Sequence, residues 1–181
     1  MKRLGDYILL LNDVMPLDMC EKLIKTYDET KERVDRNTEC FKFTEINIFN
    51  HSNFDEFKEP MTNLMQSVHK FYADKTGSKL FPETKAYEAP RIKRYEPREG
   101  IFGWHLDSCN VESSRRLLVM FWYLNDVEEG GETIFDIGTE IKVKPKAGSV
   151  CCFPPNFLFP HKGATPISNP KYVVSSYVHL P

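Results

Sequence analysis

From about Lys85 to the C-terminus the chain is a succession of short strand-like runs broken by turn residues. Ala89 to Tyr95, Ile101 to Leu106, Leu117 to Leu124, Thr133 to Phe135, Ile141 to Val143, Ser149 to Phe153, a strand opened by His161 and Tyr172 to Val178 follow one another. Pro97 to Gly100, Asn125 to Gly131, Ala147-Gly148 and Pro154 to Pro160 separate them. Seven or eight such strands at this spacing predict a sandwich or barrel. With 181 residues there is room for one domain and a sizeable core.

The first half carries helical signals. Cys20, Leu23, Ile24 and Tyr27 recur at helical spacing after Pro16, and Asp18 falls in the first turn, where an acid meets the positive end of a helix. Met61, Leu64, Met65, Val68, Phe71 and Tyr72 form a second apolar stripe, with Pro60 in its first turn and Gly77 at its end. His69 is off this stripe and is expected to be exposed, as is His51 in its polar turn. Tyr7 to Leu11 reads as a buried strand. Glu39 to Phe49 reads as one or two strands, with a phase slip at Thr44-Glu45. The helices should pack outside the β core, so residues 1–85 form a helical support region and 86–181 the β core of a single domain, 1–181.

Several classes are disfavoured. The net charge of -2 gives no electrostatic case for nucleic acid. No apolar run approaches a membrane span, and Tyr7 to Leu11 is too short for a secretory signal. Five cysteines, with Cys151 and Cys152 adjacent and no C-x-x-C, fit reduced buried thiols rather than a disulfide framework. These features lead to the expectation of a soluble cytoplasmic protein. Nothing in them sets an oligomeric state.

The chemistry-bearing stretch is Trp104-His105-Leu106-Asp107. In a strand, residues two apart share a face, so His105 and Asp107 point together while Trp104 and Leu106 turn away. By itself the pair reads first as a surface pair or a strand histidine bonded to a neighbouring acid. A metal site needs a third ligand from far along the chain. Of five histidines, His161 and His179 are the others in the β half. His105, Asp107 and His161 would make the two-histidine, one-carboxylate set that leaves three positions open on iron(II). Lys171 follows ten residues after His161. By position alone it is a solvated lysine in the turn from Ser168; pointed inward, it would need an anionic partner.

The segment from Ile92 to His179 closely resembles the catalytic domain of the prolyl 4-hydroxylase group of iron(II)/2-oxoglutarate oxygenases. The resemblance rests on Arg94-Tyr95 followed by a glycine turn, Trp104-His105-Leu106-Asp107, Arg116-Leu117 leading to Tyr123-Leu124-Asn125-Asp126, Gly130-Gly131-Glu132-Thr133-Ile134-Phe135, Val143-Lys144-Pro145 with Lys146-Ala147-Gly148, and His161 with Lys171. The strand and helix between Ile8 and Ile24 resemble those preceding the domain in the family.

The resemblance implies a mainly β, α+β fold: a double-stranded β-helix, or cupin-like jelly roll, with N-terminal helices packed outside. It implies Fe(II) held by His105, Asp107 and His161, with 2-oxoglutarate and O2 as cosubstrates and ascorbate supporting activity. Lys171 would bind the distal carboxylate of 2-oxoglutarate, and Tyr95, Tyr123 and Thr133 would line its pocket. His179 would stand near the ketoacid end. Asp107 keeps the carboxylate that halogenating relatives lack, so hydroxylation is expected. Family similarity favours a prolyl residue in a peptide or protein. The same core also serves free amino acids and other small molecules, and fold alone does not fix a substrate. The nucleobase branch uses arginines after the distal histidine, whereas this chain has none beyond Arg116. A non-catalytic, metal-binding jelly-roll module is the remaining alternative.

Overall fold

The computed structural model describes residues 1–3, 7–77 and 81–180. Helix α1 (Leu17–Glu29) buries Cys20, Leu23 and Tyr27 on one stripe. It stops where Thr30 turns extended and its hydroxyl donates to the Thr26 carbonyl. Helix α2 (Asp55–Thr76) starts earlier than its apolar stripe suggested, because Asp55 and Glu56 occupy its first turn and Phe57 is already buried. Pro60 therefore lies inside the helix, not in its first turn. The helix ends at Gly77, whose φ of +68° is a left-handed conformation that glycine adopts without a Cβ penalty.

Among the described residues, twelve antiparallel strands form one continuous sheet. They are β1 (Lys2–Arg3), β2 (Leu9–Leu11), β3 (Val34–Asn37), β4 (Phe41–Asn47), β5 (Arg91–Tyr95), β6 (Ile101–His105), β7 (Arg116–Tyr123), β8 (Thr133–Asp136), β9 (Glu140–Val143), β10 (Val150–Phe153), β11 (His161–Gly163) and β12 (Lys171–His179). The order is β1-β2-β10-β7-β12-β5-β4-β6-β11-β8-β9, with β3 beside β4. Eight strands thus fall in the expected β half, and the N-terminal part adds four more. β3, four exposed residues in the charged stretch after α1, had no apolar pattern to announce it.

The sheet rolls over so that its two arms face each other. Strand alternation sorts side chains between two cores. On β7, Leu118, Met120 and Trp122 pack toward the helices with Leu23, Tyr27, Met61, Met65 and Val68. Val119, Phe121 and Tyr123 face the interior and meet Phe135 of β8 and Val143 of β9 from the opposite arm. β7 is apolar at nearly every position because both its faces are covered. Cys151 and Cys152 divide in the same way, one into each core. This is the mainly β roll with helices outside that the family resemblance implies.

Three local expectations change. The phase slip at Thr44-Glu45 is not a break: β4 is continuous, Phe43 and Glu45 turn to the interior, and Ile46 turns to the helices. His69 is buried, not exposed, and its Nδ1 lies 3.0 Å from the Tyr87 hydroxyl. His51 is only partly exposed, 3.8 Å from Glu32. No helix among the described residues is long and apolar enough to cross a membrane.

The double coverage of β7 gives a stability test. Leu118 is fully buried, so Leu118→Ala should cost about 2–5 kcal/mol through lost transfer energy and a residual cavity. Urea denaturation should show a lower midpoint with an unchanged slope.

Candidate active site

β6 and β11 pair antiparallel with His105 opposite His161. The register then shifts: Gly163 faces Phe102, so Gly103 and Trp104 together span one step of β11. Such a bulge re-aims side chains. It puts Phe102 and His105 on the same inner face, ring centroids 4.3 Å apart, although simple alternation would separate them. Trp104 turns outward, half-exposed, with the Lys162 ammonium 4.9 Å from its ring centre. Gly103 sits at the bulge because its backbone is pressed against Cys40, to whose carbonyl its N–H donates at 2.7 Å.

The two histidines are oriented alike. His105 Nδ1 lies 2.9 Å from the Gly103 carbonyl, and His161 Nδ1 lies 3.1 Å from the Phe159 carbonyl. An Nδ1–H donated to each carbonyl leaves Nε2 as a bare lone pair. Asp107, just past β6, brings its carboxylate between them: Oδ2 is 3.2 Å from His161 Nε2, and Oδ1 is 3.6 Å from His105 Nε2. Both Nε2 atoms and Asp107 Oδ2 are buried without a hydrogen-bond partner. Their ligand atoms all lie within 4.8 Å of one another. Three unsatisfied buried donors of electron pairs are costly unless a cation joins them, and two imidazoles with one carboxylate suit iron(II). Burial raises the Asp107 carboxyl; proton charge on the facing imidazoles holds it well below the usual carboxylate range, and with both Nε2 atoms bare a bound cation would take that place.

Further residues fix the carboxylate. Tyr177 donates its hydroxyl to Asp107 Oδ1 at 2.8 Å. Arg116 donates to the Asp107 main-chain carbonyl at 2.8 Å and lies over the Tyr177 ring, 3.8 Å from its centre. Its other nitrogens grip Glu88 at 2.9 and 3.0 Å, and Arg91 also pairs with Glu88. Sequence reasoning did not single out Tyr177 or Glu88. Tyr177 shares the parity of Lys171 on β12, which was a usable signal; Glu88 precedes β5 and gave none.

A small chamber lies on the other side of His161. Lys171, the first residue of β12, is buried, so it is not the solvated turn lysine its position suggested. Its Nζ lies 5.8 Å from the Tyr95 ring centre and 5.6 Å from that of Tyr123. Tyr123 and Thr133 hydroxyls are 2.7 Å apart. His161, Lys171, Tyr95 and Thr133 line this one chamber. Among the described residues Lys171 makes no ion pair and no hydrogen bond, and burial pushes its ammonium down to about 8. His179 is not brought to the chamber. It ends β12, and its Nε2 lies 3.2 Å from Glu88. Beyond the metal group, an open groove of about 890 Å³ carries His105, Asp107, Trp104, Tyr177 and His179 on its walls.

The Glu88 cluster sets an acid limit. Burial opposes its charge, yet hydrogen bonds from Arg116 and Arg91 hold the carboxyl down at about 2. A depressed carboxyl stabilises the fold above its unfolded value. That contribution is full above about pH 4.5 and is lost as pH falls toward about 2. Between these values wild type should lose thermal stability more steeply than Glu88→Gln.

The comparisons agree with this geometry. The family model described as the 2OG-Fe(II) oxygenase superfamily matches residues 90–179. A search of curated proteins finds no match. Among solved structures, a prolyl hydroxylase from Trichoplax adhaerens in complex with a hypoxia inducible factor peptide fragment superposes with a TM-score of 0.79 at 11% identity, covering 97% of this chain and 84% of its own. A Pseudomonas putida prolyl-4-hydroxylase gives 0.73 at 19% identity, covering 96% and 92%. The viral collagen prolyl hydroxylase of Paramecium Bursaria Chlorella virus-1, in its 2OG complex, gives 0.66 at 20% identity, covering 96% of each chain. At such identities these neighbours speak for the fold. With the family match over the segment that carries both histidines, Asp107 and Lys171, the chain belongs to the 2OG-Fe(II) oxygenase superfamily and is a 2-oxoglutarate-dependent dioxygenase using Fe(II) and O2.

Proposed function

We propose that this dioxygenase hydroxylates a C–H bond of a prolyl residue in a peptide or protein, with His105, Asp107 and His161 holding the iron and Lys171 the distal carboxylate of 2-oxoglutarate. The observation that carries this reading is the pairing of two unmet needs in one interior. Buried Nε2 and carboxylate atoms without partners lie on one side of His161, and a buried ammonium without an anion lies on the other. When bound, iron and 2-oxoglutarate supply oxygen activation, so that substrate C–H and O2 become C–OH while the cosubstrate becomes succinate and carbon dioxide.

The chain's own residues supply position. Lys171 attracts the distal carboxylate, and the Tyr95 and Tyr123 rings beside it leave that charge few competing waters. The Tyr123–Thr133 pair offers hydroxyls at the same end. Phe135 and Phe153 flank the His161 ring at 5.5 and 4.7 Å between centroids and keep it dry. Tyr177 and Arg116 hold Asp107 in place as a ligand. The open groove over the metal group has room for an extended peptide, and prolyl hydroxylases are prominent among the structures of this shape. His179, bonded to Glu88 on the groove wall, is assigned to the substrate side rather than to 2-oxoglutarate. Residues 1–181 are read as a single domain, in which β1 to β4 of residues 1–85 join the core sheet and the two helices support it.

Two tests follow. His161→Ala should abolish iron binding. Lys171→Ala should keep the metal but weaken 2-oxoglutarate about ten- to a hundredfold, the worth of a charged hydrogen bond; equal metal loss in both variants would refute the role given to Lys171. Because the Lys171 ammonium titrates near 8, affinity for 2-oxoglutarate should decline as pH rises above that value, and Lys171→Arg should abolish the decline. The prolyl reading is checked by mass spectrometry for a gained oxygen on proline-containing peptides. It is wrong if 2-oxoglutarate is turned over while only proline-free substrates are hydroxylated.

A further inference from the structure

Lys93 is a second buried lysine that none of the above explains. It lies on β5, two residues before Tyr95, and so turns to the same inner face. Only 8% of it is exposed. Its Nζ stands 5.2 Å from the ring centres of both Phe43 and Phe102. Among the described residues it makes no hydrogen bond and no ion pair, although Glu45 faces it across β4. It lines both the small chamber and the open groove, at the wall between them.

A charge count shows why it matters. A divalent iron, the Asp107 carboxylate, the two carboxylates of 2-oxoglutarate and the Lys171 ammonium cancel. Glu45 and Asp107 stand near enough to act on the Lys93 charge, but neither bonds to it, and Asp107 belongs to the metal group. Glu45 is committed to Arg36 at 2.8 Å, Glu88 already serves Arg91 and Arg116, and Glu112 is exposed at the rim. Lys93 is left as a buried cation, held between two phenyl rings and open toward the place where substrate must lie. A buried charge of this kind is tolerated when a partner arrives to meet it.

We propose that Lys93 binds a carboxylate of the substrate, so that the C–H bond oxidised belongs to an acid. That carboxylate is either the α-carboxylate of a free or C-terminal amino acid or the side chain of an acidic residue near the target in a peptide. The inference rests on the 2-oxoglutarate dioxygenase reading and narrows its substrate class. Phe43 and Phe102 complete the subsite: their faces hold the ammonium at a fixed height, and Phe102, which lines the groove, gives an apolar wall for the substrate body.

The test uses the iron-loaded enzyme and Lys93→Met, which keeps the length and removes the charge. The probes are free L-proline, a peptide ending in proline as the free acid, the same peptide as its C-terminal amide, and an internal-proline peptide with and without a flanking aspartate. Acid probes should be hydroxylated with at least about tenfold higher kcat/KM than their uncharged counterparts, and Lys93→Met should erase that preference mainly through KM. Lys93→Arg should restore part of it. Free L-proline and the C-terminal acid report an α-carboxylate; the aspartate pair reports a side chain. In parallel, 2-oxoglutarate binding is measured by calorimetry with Mn(II) in place of iron, and Lys93→Met should match wild type. Equal rates on acid and uncharged probes, or no reaction with any acid probe, would overturn the proposal. So would a weakened 2-oxoglutarate affinity in Lys93→Met, which would move Lys93 to the cosubstrate. Failure of wild type to bind 2-oxoglutarate would instead sink the reading on which the proposal rests. A drop in thermal midpoint separates misfolding from a lost contact, and recovery by Lys93→Arg then decides.

Discussion

The antiparallel pairing of β6 with β11 is the contact on which the site depends. It sets His105 opposite His161, two residues that lie far apart in the chain. Antiparallel register fixes which residues oppose each other, and a one-residue slip would turn a histidine to the other face. The bulge at Gly103-Trp104 adjusts that register locally and brings Phe102 onto the metal-facing side. Asp107 needs no distant pairing of its own, since it follows β6 directly. Its orientation does depend on distant residues: Tyr177 on β12 and Arg116 on β7 hold its oxygens. Four strands thus converge on one carboxylate.

The interior separates two kinds of polar burial. Around Glu88 every charge has a partner, so the cluster is structural and resists acid. Around Lys171 and Lys93 the charges are buried with no ion pair or hydrogen bond among the described residues. Unpaired buried ammonium groups oppose folding, and their retention in a well-packed aromatic interior marks positions reserved for ligands. Lys171 sits at the far end of the chamber, where a dicarboxylate would end. Lys93 sits at the boundary with the groove, where cosubstrate and substrate would meet.

Much of the fold was legible because the β half alternates and is punctuated by turns. All eight of its strands were expected within a residue or two. β7 was identified by its apolar run, which reflects burial on both faces. Where reading failed, two-sided burial was also the cause. On β4, Phe43 and Ile46 belong to different cores, and the change of face looked like a slip in phase. His69 lies beside the helical stripe, yet the segment around Phe81 and Tyr87 folds over it. Periodicity along one helix cannot report what a later segment covers.

The sequence by itself determined the His105–Asp107 half of the metal group and its local geometry, and the family resemblance named the rest. His105 and Asp107 are two apart at a strand end, and Lys171 opens the last strand ten residues after His161. Strand periodicity and covalent spacing suffice for those statements. The resemblance named His161 as the third ligand, but only the tertiary structure brings it to the pair, because that depends on which strands pair. It also decided that Lys171 and Lys93 are buried with no ion pair among the described residues. Burial and lack of a partner are properties of everything packed around a side chain, and no local stretch of sequence contains them.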